Sequence, residues 1–294
     1  MVSGISILIP TYNDLSLGLA KTLSSQADAA RCDVEIIVAD DGSSNKEIQE
    51  LNRRIATLPH CRFIERKTNC GRSAIRNYLV TTSKHEWIVF IDGDMSVDND
   101  MFIDNYAECD KDDVAYGGYK LPDGGKTMLS NLRYKYERKC MPMHTVEKRS
   151  KDPYKDFHTS NFMARKKILL DIPFDENFTQ YGYEDVFWGK ILQQKGYKIK
   201  HIDNPVVFDR FECNSSFISK TEEGLRTLFA HRNELHGFSR IISTAQRLNQ
   251  LYLTKAFLLT FNALENIIKR NIEGNKPSLF LFKIYRLGYY LKQK

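Results

Sequence analysis

No stretch of about 18 consecutive apolar residues occurs in the sequence, so no segment is expected to cross a bilayer as a helix. The N-terminal residues lack the charged leader and apolar core of a secretory signal; residues 4–10 run directly into a short apolar segment, as a first strand would. The six cysteines (Cys32, Cys61, Cys70, Cys109, Cys140, Cys213) form no C-x-x-C pair and no cysteine–histidine cluster at zinc spacing. They read as reduced thiols in a cytosolic protein. No internal repeat or low-complexity tract is present. Surplus charge is also missing from most of the chain. The net charge of +6 is concentrated in residues 240–294, where ten Lys and Arg face two Glu, a net of +8. The remaining 33 basic and 35 acidic residues leave the body at −2, which gives no indication of a basic globular face for nucleic acid.

What is present is a chain of 294 residues, 42% hydrophobic and 27% charged, enough for a substantial core in one large or two modest domains. Short β-branched runs alternate with helical patterns through the first half. Strands are expected at residues 5–9, 34–39, 62–65 and 86–91, and helices at 14–30, 45–58 and 71–83. Such alternation predicts an α/β fold, a mostly parallel sheet flanked by helices. In that architecture ligands bind beyond the carboxyl ends of the strands, so residues 10–13, 40–43 and 92–94 carry the most weight. Residues 113–215 look less regular, with a mobile polar loop expected at 148–156 and a helix at 184–195. Further helices are expected at 217–233, at 239–271 and from 278 onward.

Three acid pairs follow strands or open helices. At Asp40-Asp41 a carboxylate can accept a hydrogen bond from an imide N–H such as uracil offers; the alternative is an Asp/Gly turn. At Asp92-Gly93-Asp94, two carboxylates at the end of an apolar strand can share a hard divalent cation that neutralises a nucleotide diphosphate. The alternative is again a turn. At Glu184-Asp185 the acids open a helix whose positive end favours the ionised form, as a general base requires. The alternative there is helix capping. Flanking Tyr181, Tyr183, Phe187 and Trp188 suit either sugar stacking or a core.

These segments occur in order: Ile7-Leu-Ile-Pro-Thr-Tyr-Asn13, Val38-Ala-Asp-Asp-Gly-Ser43, Asn69-Cys-Gly71 with Ala74-Ile-Arg-Asn77, Phe90-Ile-Asp-Gly-Asp94, Thr159-Ser-Asn-Phe162, Gly182-Tyr-Glu-Asp185 and Gly196-Tyr-Lys198. Together they resemble an inverting family 2 glycosyltransferase with the GT-A fold, over about residues 3–235. The resemblance implies that Pro10, Thr11, Tyr12 and Asp41, with Asp40 beside them, cradle the nucleotide. It implies that Arg72 or Arg76 faces the diphosphate, Arg76 equally being a brace for the fold. Asp92 then lies towards ribose and metal, Asp94 is a direct ligand of Mn²⁺ or Mg²⁺, Asp185 is the base and Glu184 holds acceptor hydroxyls. Many relatives place a third metal ligand, a histidine, where Phe208 stands; Asp209, His201 and His158 are the candidate substitutes in this chain, the alternatives being two protein ligands completed by the diphosphate and a structural role for His158.

The resemblance implies a nucleotide-sugar donor, with UDP expected, and a saccharide or lipid-linked saccharide acceptor in bacterial-type surface glycan assembly. The expected organisation is a transferase domain over residues 1–235 and a basic helical extension over 236–294. Within the extension, residues 278–294 form a basic, aromatic-rich amphipathic segment. It suits either an anionic membrane surface, which would place the protein at the inner face of the plasma membrane, or packing on the domain. Two other classes remain. A sugar nucleotidyltransferase should carry a Gly-rich, basic loop after the first strand, where this chain has Pro10-Thr-Tyr-Asn-Asp14. A non-catalytic sugar-nucleotide-binding scaffold should have lost the acids, and all are present.

Overall fold

The structure is a computed structural model and describes residues 1–155 and 157–293. It comprises β1 (Gly4–Thr11), α1 (Leu17–Ala29), β2 (Asp33–Asp40), α2 (Lys46–Arg53), β3 (Cys61–Glu65), α3 (Arg72–Thr82), β4 (Trp87–Ile91), α4 (Phe102–Ala107), β5 (Val114–Tyr116) and β6 (Tyr119–Lys120). There follow α5 (Leu132–Cys140), α6 (Val146–Arg149), β7 (Asn161–Arg165), α7 (Lys166–Asp171), α8 (Glu184–Lys195), β8 (Ile199–His201) and β9 (Val206–Val207). The chain ends in α9 (Asn214–Ala230), α10 (Arg240–Gln250), α11 (Thr254–Glu273) and α12 (Leu279–Leu291). It divides into two compact units: residues 1–122, 143–179 and 184–210 form the first, and residues 123–142, 180–183 and 211–294 the second. The second unit thus takes in α5 and α9, whereas the sequence reading set its boundary after residue 235.

The first unit is built on a seven-stranded sheet in the order β3-β2-β1-β4-β7-β5-β8. β1, β2, β3 and β4 pair in parallel, as do β5 and β8; β7 runs antiparallel between β4 and β5. Strands β1, β2 and β4 read as mostly apolar runs because they are buried on both faces. Every residue of β4 is buried, and Pro10 alone in β1 is not. The reversed β7 has a positional consequence. Its first residue, Asn161, pairs with Ile91, the last of β4. Residues 158–160 therefore arrive at the same sheet end as the residues that follow β1, β2 and β4. Asn161 is buried and fixes this junction: its amide donates to the carbonyls of Gly118 (2.7 Å) and Asn204 (2.8 Å), and its oxygen accepts from Tyr106 (2.7 Å).

Helix α8 is set by its core anchor. Trp188 lies against Phe174 (5.2 Å between centroids) and Phe162 (5.4 Å), and its indole donates to the Ile172 carbonyl at 2.8 Å. This places Trp188 in the core and leaves the first turn of α8, with Glu184 and Asp185, directed by packing rather than by a loop. In the middle region, the loop expected at 148–156 begins inside a short helix, Val146–Arg149; residues 150–155 are turns and bends, and Asp156 lies outside the described residues. The second unit has its own apolar cluster, with Leu132, Ile218, Phe261, Ile268, Phe282 and Tyr285 at its centre. The single helix expected at 239–271 is two helices, broken at residues 251–253 where Tyr252 adopts φ 57°.

Candidate active site

The loops after β1 and β2 are locked to each other. The Asn13 amide donates to Ser43 Oγ (2.7 Å), and the Asn13 side chain accepts from the Asn45 amide (2.8 Å). Asn45 in turn caps α2, accepting from the amides of Glu47 and Ile48. Thr11 is buried and donates to the Asp14 carbonyl, whereas Tyr12 beside it is 42% exposed. Asp40 and Asp41 are both buried. Asp40 closes the turn: one oxygen accepts from the Ser43 amide (3.0 Å) and hydroxyl (2.5 Å), the other from Gln49 (3.0 Å). Asp41 ties this turn to the start of α3, accepting from the amides of Cys70 (3.0 Å) and Gly71 (2.9 Å) and from Arg66 (3.1 Å). Burial pushes the Asp41 carboxyl up, against the pull of those two amides and Arg66. Gly42 sits at φ +72°, and a Cβ there would lie 2.6 Å from the Thr68 backbone, so the D-D-G-S segment requires glycine twice over.

At the end of β4 the glycine of D-G-D has a packing reason. A Cβ on Gly93 would meet Ser16 Oγ at 2.8 Å and the Pro10 carbonyl at 3.0 Å. The backbone between the two acids therefore presses against the end of β1, and Asp92 and Asp94 emerge at the carboxyl edge of the sheet. Asp92 pairs with Arg76 at 2.9 Å, and the same guanidinium reaches Glu184 at 3.3 Å. Arg76 is only 2% exposed and stacks over Phe174 at 5.6 Å. Arg72, one turn earlier on α3 and half-exposed, approaches the same Glu184 oxygen at 3.8 Å. Arg76 is thus the hub that draws the end of β4 and the start of α8 together.

Asp185 points elsewhere. One of its oxygens lies 3.0 Å from His158 Nδ1, and the other accepts from the Val186 amide at 2.8 Å. Burial pushes its carboxyl up, but the His158 hydrogen bond and charge, the Val186 amide and the Arg76 charge outweigh it and hold the group below the usual aspartate range. Asp185 is therefore ionised at neutral pH. The sequence offers His158 as a metal ligand or a structural histidine; its pairing with the acid depends on the antiparallel course of β7, which leaves no local sequence signal. Behind His158 lie the rings of Tyr116 (6.2 Å), Tyr119 (6.2 Å) and His144 (6.0 Å).

Among the described residues, no three His, Cys, Asp or Glu side chains are grouped to hold a metal ion. The donor chemistry nevertheless fits a hard divalent cation. Asp92 and Asp94 follow β4 two residues apart and offer carboxylate oxygens, the donors a hard divalent cation takes, with one Asp92 oxygen on Arg76 at 2.9 Å. Of the three substitutes for the missing histidine, His201 has both nitrogens engaged, by Arg149 (3.2 Å) and the Pro153 carbonyl (3.0 Å). His158 has Nδ1 on Asp185. Asp209 is exposed and accepts from Ser96 Oγ at 2.8 Å, two residues beyond Asp94.

A mostly parallel sheet with acids at its carboxyl edge and a base candidate opening a helix beside them defines a GT-A-type transferase fold. The chain matches the glycosyl transferase family 2 domain over residues 6–172 and belongs to that family. It is 27% identical over 241 residues to chondroitin synthase of Escherichia coli, covering 71% of this chain but only 35% of that protein. It is 23% identical over 332 residues to the uncharacterized glycosyltransferase YfnE of Bacillus subtilis, covering 91% of this chain and 84% of that one. Among solved structures, the mannosyltransferase PcManGT of Pyrobaculum calidifontis aligns with a TM-score of 0.58 at 15% identity, covering 98% and 84% of the two chains. S. aureus TarS 1–349 aligns with a TM-score of 0.50 at 16% identity, covering 97% and 90%. The glycosyltransferase fold and family anticipated from the motifs are therefore those of the chain.

Proposed function

We propose that the protein transfers a sugar from a nucleotide-sugar donor, a UDP-sugar in the first instance, to a saccharide or lipid-linked saccharide acceptor, with inversion at the anomeric carbon. The observation that carries this reading is the Arg76 bridge, which joins the D-x-D end of β4 to the Glu184-Asp185 start of α8. Structures of the same fold add support: PcManGT was solved with GDP-Man and Mn²⁺, and TarS 1–349 with UDP-GlcNAc.

In this reading Asp185 removes the proton from the acceptor hydroxyl as that oxygen attacks the anomeric carbon from the face opposite the nucleotide. His158 holds the Asp185 carboxylate ionised and oriented. Glu184, fixed by Arg76, presents its remaining oxygen to acceptor hydroxyls. Tyr12, exposed beside the locked loops after β1 and β2, offers a face to the base, with Pro10, Thr11, Asp40 and Asp41 as its bed. Arg72 faces the diphosphate. Asp92 and Asp94, with Asp209 as a third oxygen donor, would hold Mn²⁺ or Mg²⁺, which supplies charge to stabilise the departing diphosphate. Residues 1–235 carry this chemistry and 236–294 form the basic helical extension.

The test is nucleotide release across a panel of UDP- and GDP-sugars with saccharide acceptors. Asp185→Asn is expected to lower turnover about 10²–10⁴-fold, the usual worth of a general base, while calorimetric UDP binding in Mn²⁺ persists. Turnover retained in Asp185→Asn would overturn the base assignment. UDP binding with no turnover on any donor would instead favour the scaffold.

A further inference from the structure

The exposed apolar residues of the second unit are unevenly placed. Residues 278–294, the segment with the obvious amphipathic pattern, use much of their apolar content internally: Phe282, Tyr285 and Tyr290 are buried, Phe282 packs on Phe217 and Tyr136, and Tyr285 packs on Phe261. Lys294 lies outside the described residues. Of the uncovered large apolar residues of this unit, Phe280 (71% exposed) stands on α12 and the rest belong to α11 and the corner before it. Leu259 is 73% exposed and Ile267 64%, with Ala263 exposed midway between them at helical spacing and Leu264 alongside. At the corner, Leu251 and Leu253 are exposed and Tyr252 is 93% exposed. The opposite face of α11 is the packed one, through Phe261, Ile268 and Ile272. An apolar stripe on the outer face of a helix already packed through its inner face is surface with an occupant to find.

Charge selects the occupant. Arg247, Lys255 and Arg270, all exposed, flank the stripe and form no salt bridge among the described residues, whereas the Glu265 carboxylate is taken up by Lys292 at 2.7 Å. The segment they belong to carries a net charge of +8, so a second copy of the same face would meet like charge. We propose that the outer face of α11 and the Leu251–Leu253 corner form a docking surface for anionic lipid. The leucines, Ile267 and Tyr252 enter the headgroup boundary while the basic residues meet lipid phosphates. This inference stands on the exposure and charge of the second unit and does not depend on the transferase reading.

The test is co-sedimentation of the full chain with vesicles of phosphatidylcholine alone and with one part phosphatidylglycerol to two parts phosphatidylcholine. Binding is expected only to the anionic vesicles and is expected to weaken in high salt. Lys255→Glu with Arg270→Glu is expected to cut binding at least tenfold, since each basic residue near such a surface is worth about fivefold in partitioning. Tyr252→Ser, Leu259→Ser and Ile267→Ser together are expected to do the same, with an unchanged circular dichroism spectrum because all three side chains are already solvated. Leu170→Ser, an exposed leucine of the first unit, is the control and keeps wild-type binding. Absence of binding to anionic vesicles, equal binding by the variants, or a wild-type dimer that the triple variant abolishes would each overturn the proposal.

Discussion

Arg76 is the side chain whose loss should be felt twice. Replacing it with Met keeps much of its volume over Phe174 and removes the charge between Asp92 and Glu184. The Glu184 arm decides the magnitude, because both partners there are nearly sealed from water at 2% and 5% exposure, while Asp92 is 24% exposed and its arm is screened. Removing one partner of a buried ion pair costs about 3–5 kcal/mol when the other charge is stranded, and the half-exposed Arg72, 3.8 Å from the same Glu184 oxygen, places the loss toward the lower end of that range. For a unit of this size that is a fall of roughly 6–20 °C in Tm. The protein carries its own reporter: its two tryptophans, Trp87 and Trp188, are both buried in the first unit, so their fluorescence follows unfolding of that unit. Urea titration of Arg76→Met by tryptophan emission is expected to show the loss. Adding Glu184→Gln is expected to return about 0.5–3 kcal/mol by removing the stranded charge. A loss below about 1 kcal/mol in the single variant, or a double variant no better than it, would refute the role of Arg76 as the hub.

Two predictions concern protons. In His158→Asn, Asp185 keeps the burial that raises its pKa and loses the largest influence that lowers it, so the acid limb of kcat/KM is expected to move to higher pH; an unmoved limb would reject the pairing. Burial first, then neighbouring cationic groups, hold His144 and His201 down to about 4, so each stays neutral in the fold while the unfolded chain takes up a proton near pH 6.5. Their contribution to stability is whole at neutral pH and is lost as pH falls from about 6.5 towards 4. The urea midpoint read by tryptophan emission is expected to drop across that window, and His201→Gln is expected to flatten the drop; an equally steep fall in the variant would contradict the account.

The part of this molecule that could be read in advance is the part whose signals are local. Strands β1, β2 and β4 are buried on both faces, so each is a mostly apolar run, and the acids that matter sit immediately after them. The Asp92 and Asp185 neighbourhoods could be named separately for that reason. Their connection could not. It runs through Arg76, which lies on a helix with no feature marking it as buried, and through β7, whose antiparallel placement is a long-range choice made by a five-residue strand. β5 and β8, three residues each, offer too short a run for periodicity to register.

The C-terminal region shows the opposite failure, where pattern was present and ambiguous. Charge counting alone marked residues 240–294 as different, and that count needed no structure. The break at residues 251–253 was missed because Leu251-Tyr252-Leu253 contains neither glycine nor proline, so nothing local announces the left-handed backbone at Tyr252. Which apolar side chains of this region face outward is not local information either. In α12 apolar residues run almost all round the helix; Phe282 and Tyr285 are taken into the cluster while Phe280 stays exposed. α11 likewise carries apolar residues on an inner and an outer side. Only burial separates them: Phe261 and Ile268 inward, Leu259 and Ile267 outward. α11 therefore has apolar surface left over for a partner, and in a basic segment that surplus is what an anionic interface selects.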